Sequence, residues 1–363
     1  STVDEILSTI RGHIPRSATV EALPFYYQQL FLGSGGLDPA LWVEREEAVR
    51  ASKRAVDAFK QGFSGALVVT GERSSGKSTL STVIASDHGR GARLHQIYPP
   101  AGGTTEVEVF ERTIEVAIRQ QGSIDDGIAA LPAGTAMVFH DIEMWWGRCQ
   151  GGTAVLERLL ALIEAHGHRV LFIVNLNVHA FRFIDRLLPL SDRALALIEC
   201  APLDASALRD AVMGRHTSTG LRFELNGRSE RALGDWRRAR LFSSYFDYAR
   251  GSIGIALRAW MVNIQSFRDD VLVIRSPEEF DQEVFYRLRT PWIALIIELI
   301  LHREVTLTRL RQVAGLEADT LDSTLRTLER MGLVRVDRQE GVSLDPTAQH
   351  MLVEHLQRRG MLS

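Results

Sequence analysis

The residues best suited to chemistry lie together between positions 71 and 79. Gly71-Glu72-Arg73-Ser74-Ser75-Gly76-Lys77-Ser78 matches the pattern GxxxxGK[ST], and Thr79 follows directly. Glycine at both ends lets the backbone bend so that successive N–H groups face one anion. A helix beginning at the lysine adds the partial positive charge of its N-terminus. Lys77 would then reach the outer phosphates of a nucleoside triphosphate, and the Ser78 hydroxyl would ligate Mg²⁺. Only three of the 42 basic residues are lysines, Lys53, Lys60 and Lys77, so abundance does not explain a lysine at this position.

A second stretch, Met137-Val138-Phe139-His140-Asp141-Ile142-Glu143, is an apolar run ending in acids. Nucleoside-triphosphate hydrolysis needs one carboxylate on the Mg²⁺ side, at a neighbouring strand end, and a second to activate water. Asp141 suits the first role and Glu143 is the candidate for the second. The two acids usually stand side by side, but here Ile142 follows Asp141; Glu143 is one position further on, and in an extended chain it would point away from the site. A register shifted by one, with His140 toward the metal and Asp141 as base, is the alternative.

These motifs need a scaffold. Ala66–Thr70 reads as a buried strand before the loop, and 77–86 as the helix after it. Strands are expected at 136–141, 170–177 and 194–200, with helices at 155–165 and 181–188 between them. Such alternation implies an α/β fold, a parallel sheet sandwiched by helices. After Pro202 the segments 203–215, 234–249 and 253–266 read as helices, and Val271–Ile274 as a short strand. From 291 onward, three helices, a hairpin at 333–336 and 341–344, and a last helix over 347–359 give a winged-helix pattern. The expected division is 1–40 as an N-terminal arm or linker, 41–202 as a P-loop ATPase core, 203–275 as an all-α lid and 276–363 as a winged helix. The arm carries an aromatic cluster, Phe25, Tyr26, Tyr27 and Phe31, able to dock on a partner, followed by the breaker run 33–36.

The 363 residues exceed one comfortable core at roughly 100–200 residues per domain. A hydrophobic content of 45% and a charged content of 24% describe a globular chain rather than a disordered one. Net charge is −3, which argues against wholesale nucleic-acid coating. Two cysteines, Cys149 and Cys200, make no disulfide framework and suggest a reducing, cytoplasmic setting. The apolar runs 170–174 and 293–301 fall short of the roughly 18–20 residues of a membrane span. The chain opens on Ser1 rather than Met, consistent with processing or with excision from a longer protein that has an upstream domain. His166 and His168 flank Gly167 without further ligands at metal spacing, and read as a turn.

Taken with their order, these motifs resemble the AAA+ superfamily, above all its signal-transducing (STAND) and replication-initiator branches. The resemblance implies an ASCE-type P-loop core, a helical lid and a winged helix, with ATP/ADP and Mg²⁺ as cofactors. Trp42-Val43-Glu44-Arg45-Glu46-Glu47 resembles the hVGRExE motif near the adenine, with Glu44 in place of the usual Gly; Arg45 would then touch the nucleotide. Asn177, with Asn175 in reserve, would be the polar sensor of the γ-phosphate. Arg193 in Leu190-Ser191-Asp192-Arg193 would be the arginine finger reaching a neighbouring subunit, with Arg186 as second choice. At the lid helix Gly254 stands where the family often has the second sensor arginine, and Arg258 lies one turn on.

The region 276–363 holds 11 Arg and no Lys against 14 acids. Its expected recognition helix, 317–331, carries Glu317, Asp319, Asp322 and Glu329 against Arg326 and Arg330. An acidic helix repels DNA phosphates, so a protein-docking or autoinhibitory role is expected for the winged helix. Trp145-Trp146 could line a subunit interface, but core packing is the expected fate. The function expected is an ATP-binding, slowly hydrolysing switch that assembles into homo-oligomers. Its alternatives are an ATP-dependent DNA-binding regulator and a scaffold with structural ATP; a small-molecule kinase is a distant fourth.

Overall fold

The computed structural model describes residues 2–33, 41–43, 45–88, 93–337, 339 and 341–362. Glu44, the run 34–36, and Arg338 and Glu340 of the expected wing lie outside the described residues. Three helices come first, α1 (Thr2–Gly12), α2 (Ser17–Ala22) and α3 (Phe25–Leu32), and α4 (Glu46–Lys60) leads into the core. The core runs β1 (Ala66–Gly71), α5 (Lys77–His88), β2 (Leu94–Ile97), α6 (Val107–Ile118), α7 (Ile124–Ala129), β3 (Ala136–Phe139), α8 (Ala154–His166), β4 (Leu171–Asn177), α9 (Val178–Leu187) and β5 (Ala194–Glu199).

These five strands form one parallel sheet in the order β2-β3-β4-β1-β5. Along β1, Ala66 and Val68 pack with Phe139, Phe172 and Val174 on one face. Leu67 and Val69 pack on the other, with Phe59 of α4 and Leu80 and Ile84 of α5. That period of two, apolar on both faces, is what a strand covered by helices on both sides requires. Strand β4 lies between β1 and the acid-bearing β3.

The middle region holds α10 (Ala205–Ser218), β6 (Arg222–Leu225), β7 (Arg228–Ser229), α11 (Asp235–Ala249), α12 (Ile253–Val262), β8 (Ile264–Arg268) and β9 (Val271–Ile274). The expected all-α lid therefore needs an addition, a four-stranded sheet in the order β7-β6-β9-β8. Phe223 and Leu225 of β6 are buried, whereas Arg222 is exposed and Glu224 half-buried. Four residues of that alternation are too short to stand out in sequence.

The C-terminal region has α13 (Thr290–His302), β10 (Glu304–Val305), α14 (Leu307–Ala314), α15 (Ala318–Arg330), β11 (Val334–Asp337), β12 (Gly341–Leu344) and α16 (Pro346–Arg358). Its three strands pair antiparallel in the order β10-β12-β11. Asp345 starts α16 by accepting from the N–H groups of Thr347 (2.9 Å) and Ala348 (3.3 Å).

The N-terminal helices are not a free arm. Ile6 and Ile10 of α1 are fully buried in the C-terminal core, and Tyr27 and Phe31 of α3 are buried in the middle one. The Trp260 indole N–H donates to the Tyr27 hydroxyl (2.8 Å), which in turn meets His216 Nδ1 (3.0 Å). Of the aromatic cluster, only Phe25 and Tyr26 are exposed. Trp145 and Trp146 are fully buried.

Candidate functional site

The loop after β1 has the backbone that anion binding needs. Ser74 (φ 65°) and Gly76 (φ 92°) both adopt positive φ, which turns successive N–H groups inward. The Ser75 hydroxyl is buried without a hydrogen-bond partner. A buried polar atom left unpaired is costly, and a phosphate oxygen would satisfy this one. Gly71 must be glycine, because a Cβ there would run into Ser75 Oγ and lie 3.0 Å from Cys200 Cβ. Lys77 is buried and makes no ion pair among the described residues. Ser78 and Thr79 follow in the first turn of α5, both half-buried.

Each remaining loop residue is tied to another element. Arg45 donates from Nη2 to the Ser75 carbonyl (2.6 Å) and from Nε to the Ala201 carbonyl (3.0 Å), joining the loop to the exit of β5. Glu72 meets His179 Nε2 at 2.6 Å. Ser74 accepts from the N–H of Gly254 (3.0 Å) at the start of α12. Arg73 turns to the C-terminal region, donating to the Leu344 carbonyl (3.1 Å) and Gln349 Oε1 (2.7 Å). Burial, followed by the nearby Arg303 and Arg258, lowers the Arg73 pKa to about 10.

The acidic motif departs from its extended reading. Asp141 takes a left-handed conformation (φ 51°, ψ 54°) and opens a short 3-10 turn over Ile142–Met144. The strand thus ends before Glu143, whose side chain turns inward, is 1% exposed, and accepts from the Asn177 N–H (3.1 Å). Burial raises the Glu143 pKa; Lys77 opposes the shift, Asp141 adds to it and Arg303 opposes it. The outward orientation that an extended chain implied for Glu143 is therefore corrected.

His140 is committed elsewhere. It accepts at Nδ1 from Asn175 Nδ2 (2.9 Å), pairs at Nε2 with Gln96 Oε1 (3.0 Å) and stacks on Tyr98 at 4.4 Å. Burial, with Lys77 and Arg303 nearby, lowers its pKa to about 4 against the pull of Asp141. This leaves the shifted register without a free imidazole.

Asn175 and Asn177 divide their duties. Asn175 Oδ1 accepts from the Asp141 N–H (3.1 Å) and its Nδ2 also donates to Ser81 (3.2 Å), fixing the end of β3. Asn177 pairs in register with Gly71. Its Oδ1 caps α9 by accepting from His179 (2.8 Å) and Ala180 (3.4 Å), so only its NH₂ group is free to face a phosphate. Arg193 lies before β5, at the sheet end opposite the phosphate loop, and pairs with Glu164 (3.1 Å). It does not reach its own chain's loop. Arg186 is exposed in the last turn of α9.

The glycine at the expected second-sensor position has a steric reason. A Cβ on Gly254 would lie 2.7 Å from the Ser74 carbonyl oxygen and collide with the Ser74 side chain. Arg258 is partly buried and lines a separate small cavity with His13 and His350.

Three contributors lay beyond the sequence reading. His179 and Arg182 of α9 line the cavity beside the loop, a space of about 310 Å³ closed by Ile255 of α12 and by Gln349 and Val353 of α16. The third is Arg303, in the turn between α13 and β10, whose Nη1 pairs with Asp141 Oδ1. No local motif marks any of them, because each arrives through tertiary packing. Among the described residues no group of three or more His, Cys, Asp or Glu could hold a metal alone. A cation here would share Ser78 and Asp141 with phosphate oxygens, the usual manner of Mg²⁺.

The sheet order, the anion-binding loop and the acids at the end of β3 define an α/β P-loop core of the ASCE type. Compared by sequence, the chain matches no family model and no curated protein. Among solved structures, it is similar in fold to the Aeropyrum pernix ORC1 protein in complex with DNA, with a TM-score of 0.48 and 15% identity over 92% of this chain and 98% of that one. The Aeropyrum pernix ORC2 protein, in its ADPNP-ADP complexes, gives a TM-score of 0.48 and 13% identity over 91% and 98%. Cdc6p from Pyrobaculum aerophilum gives 0.45 and 12% over 92% and 98%. No helix among the described residues is long and apolar enough to cross a membrane.

Proposed function

We propose that this chain is an ATP-binding, slowly hydrolysing switch of the AAA+ type, in which nucleotide at residues 71–78 sets the position of a C-terminal winged helix. The observation that carries the reading is the double attachment of the phosphate loop: Ser74 to the lid through Gly254 and Arg73 to the winged helix through Leu344 and Gln349. A ligand that rearranges this loop acts on both at once.

ATP fits the loop because it satisfies the unpaired Ser75 hydroxyl and meets the buried Lys77. Mg²⁺ fits the hard oxygens of Ser78 and Asp141, and when bound it neutralises charge on the phosphates. Glu143 is the candidate base. Its buried carboxylate is held by the Asn177 N–H and kept more basic than an ordinary glutamate. The absence of an arginine at Gly254 supports slow turnover. Arg193, exposed and remote from its own loop, suits a role in a neighbouring copy, so ATP-dependent self-assembly is part of the proposal. The exposed Glu317 and Asp319 at the start of α15 support a protein rather than DNA as the winged helix's partner.

The test is a calorimetric titration of ATP and ADP into the full chain and into Lys77→Ala. Binding in the micromolar range is expected for the former, with at least a hundredfold loss in the latter, about 2.7 kcal/mol. Equal affinity in both would refute the reading.

A further inference from the structure

We infer that Arg303 is a tethered cation occupying the divalent-ion position on Asp141, so that metal loading and docking of the C-terminal region compete for one carboxylate. The inference rests on the reading of residues 71–78 as a Mg²⁺·nucleotide site. It adds the device by which that site and the C-terminal region exclude one another.

The geometry is built rather than incidental. Arg303 adopts φ 64° and ψ −59°, a conformation that costs a non-glycine residue about 1–3 kcal/mol and persists only when its surroundings enforce it. Those surroundings grip the core on both sides. Before it, His302 stacks on Trp146 (ring centroids 4.9 Å apart, 13° between planes), and Glu298 pairs with Arg148 (2.5 Å). After it, Glu304 accepts from the Gly102 N–H (2.6 Å), and Arg309 donates to the carbonyls of Gly102 (2.6 Å) and Trp146 (2.7 Å). Gly103 admits no side chain, since a Cβ would strike both Arg309 Nη1 and the Met144 carbonyl. The segment 298–309 is thus clamped over the end of β3 with one guanidinium directed at Asp141.

Asp141 cannot serve both cations at full strength. Its Oδ1 is taken by Arg303, and a divalent ion needs that carboxylate free of a competing positive charge. Arg303 also acts electrostatically on Glu143 and Arg73, so its withdrawal is felt by the candidate base and by the second anchor of the C-terminal region. No sequence motif marks this arginine.

The experiment measures binding of N-methylanthraniloyl-ADP to the full chain, first in EDTA and then across a Mg²⁺ titration. The chains are wild type, Arg303→Gln and Arg303→Lys. Arg303→Gln removes the charge and leaves a shorter polar side chain, and unchanged circular dichroism establishes that it is folded. The expected result is a Mg²⁺ midpoint about tenfold lower in Arg303→Gln and a midpoint near wild type in Arg303→Lys. Hydrogen exchange at Gly102 and Thr306, whose N–H groups bond between the two regions, should rise with Mg²⁺ in wild type and be high already in Arg303→Gln. Normal nucleotide binding with an unchanged Mg²⁺ midpoint overturns the inference and leaves the phosphate-loop reading intact. No nucleotide binding by any of the three chains overturns both.

Discussion

Replacing Arg73 by methionine tests whether the phosphate loop holds the C-terminal region. The substitution keeps the apolar stem and removes two hydrogen bonds from a charged donor, at 3.1 and 2.7 Å. Such bonds contribute about 1.5–3 kcal/mol each, so roughly 3–6 kcal/mol is lost. Keeping the guanidinium from water and beside other arginines, which brings its pKa to about 10, costs on the order of 2–3 kcal/mol after allowance for screening, and that cost disappears with the charge. The difference spans about 0–4 kcal/mol, and its centre, about 2 kcal/mol, is at least tenfold in the population opened between core and C-terminal region. Hydrogen exchange followed by mass spectrometry reads this at Gly102 and Thr306. Tenfold faster exchange at these amides, with unchanged exchange in β1 and β4, is expected. Unchanged exchange at Gly102 and Thr306 would refute the attachment.

Two further outcomes follow from the same contacts. Gly254→Ala should push the start of α12 off Ser74, weakening nucleotide binding by about 5–30-fold through overpacking of roughly 1–2 kcal/mol, and Gly254→Arg should do no better; faster ATP turnover in Gly254→Arg would contradict the steric account. His302 is pressed to a pKa of about 4 by burial, against the Glu298 carbonyl bond that raises it. Between pH 6.5 and about 4 the unfolded chain binds the proton that the folded one refuses, so this contribution is full above pH 6.5 and lost as pH falls through that window. His302→Gln should make stability in urea less pH-dependent by about 2 kcal/mol between pH 6.5 and 5, and an unchanged slope would show that His302 takes up its proton in the folded chain.

What could be read from sequence was what lies contiguous in the chain. The phosphate loop, the strand before it and the helix after it are contiguous, from Ala66 to His88, and obey local rules. Strands β1, β3 and β4 were legible because they are apolar on both faces, whereas β2, with His95 and Gln96 among its four residues, was not foreseen. Glu143 was harder: alternation fails there because Asp141 turns left-handed, and only the fold enforces that turn. Helices α1 and α3 looked like a linker because their buried residues, Ile6, Ile10, Tyr27 and Phe31, have partners some two hundred or more positions away. Strand β6 is four residues of mixed polarity. Arg303 carried no signal at all, since its meaning is the distance to Asp141. The missing arginine at Gly254 read as a gap in a motif, whereas Ser74 leaves no room there for a side chain.

The most direct measurement is hydrogen exchange on the full chain with no nucleotide, with Mg²⁺·ADP and with a non-hydrolysable Mg²⁺·ATP analogue, with particle size followed by light scattering on the same samples. The account predicts protection of 71–79 by both nucleotides. It also predicts faster exchange at Gly102 and Thr306 with either Mg²⁺·nucleotide, and growth in particle size when the triphosphate analogue is bound. Protection of 71–79 with no change at Gly102 or Thr306 under any nucleotide would contradict it, leaving a nucleotide that is bound but moves nothing.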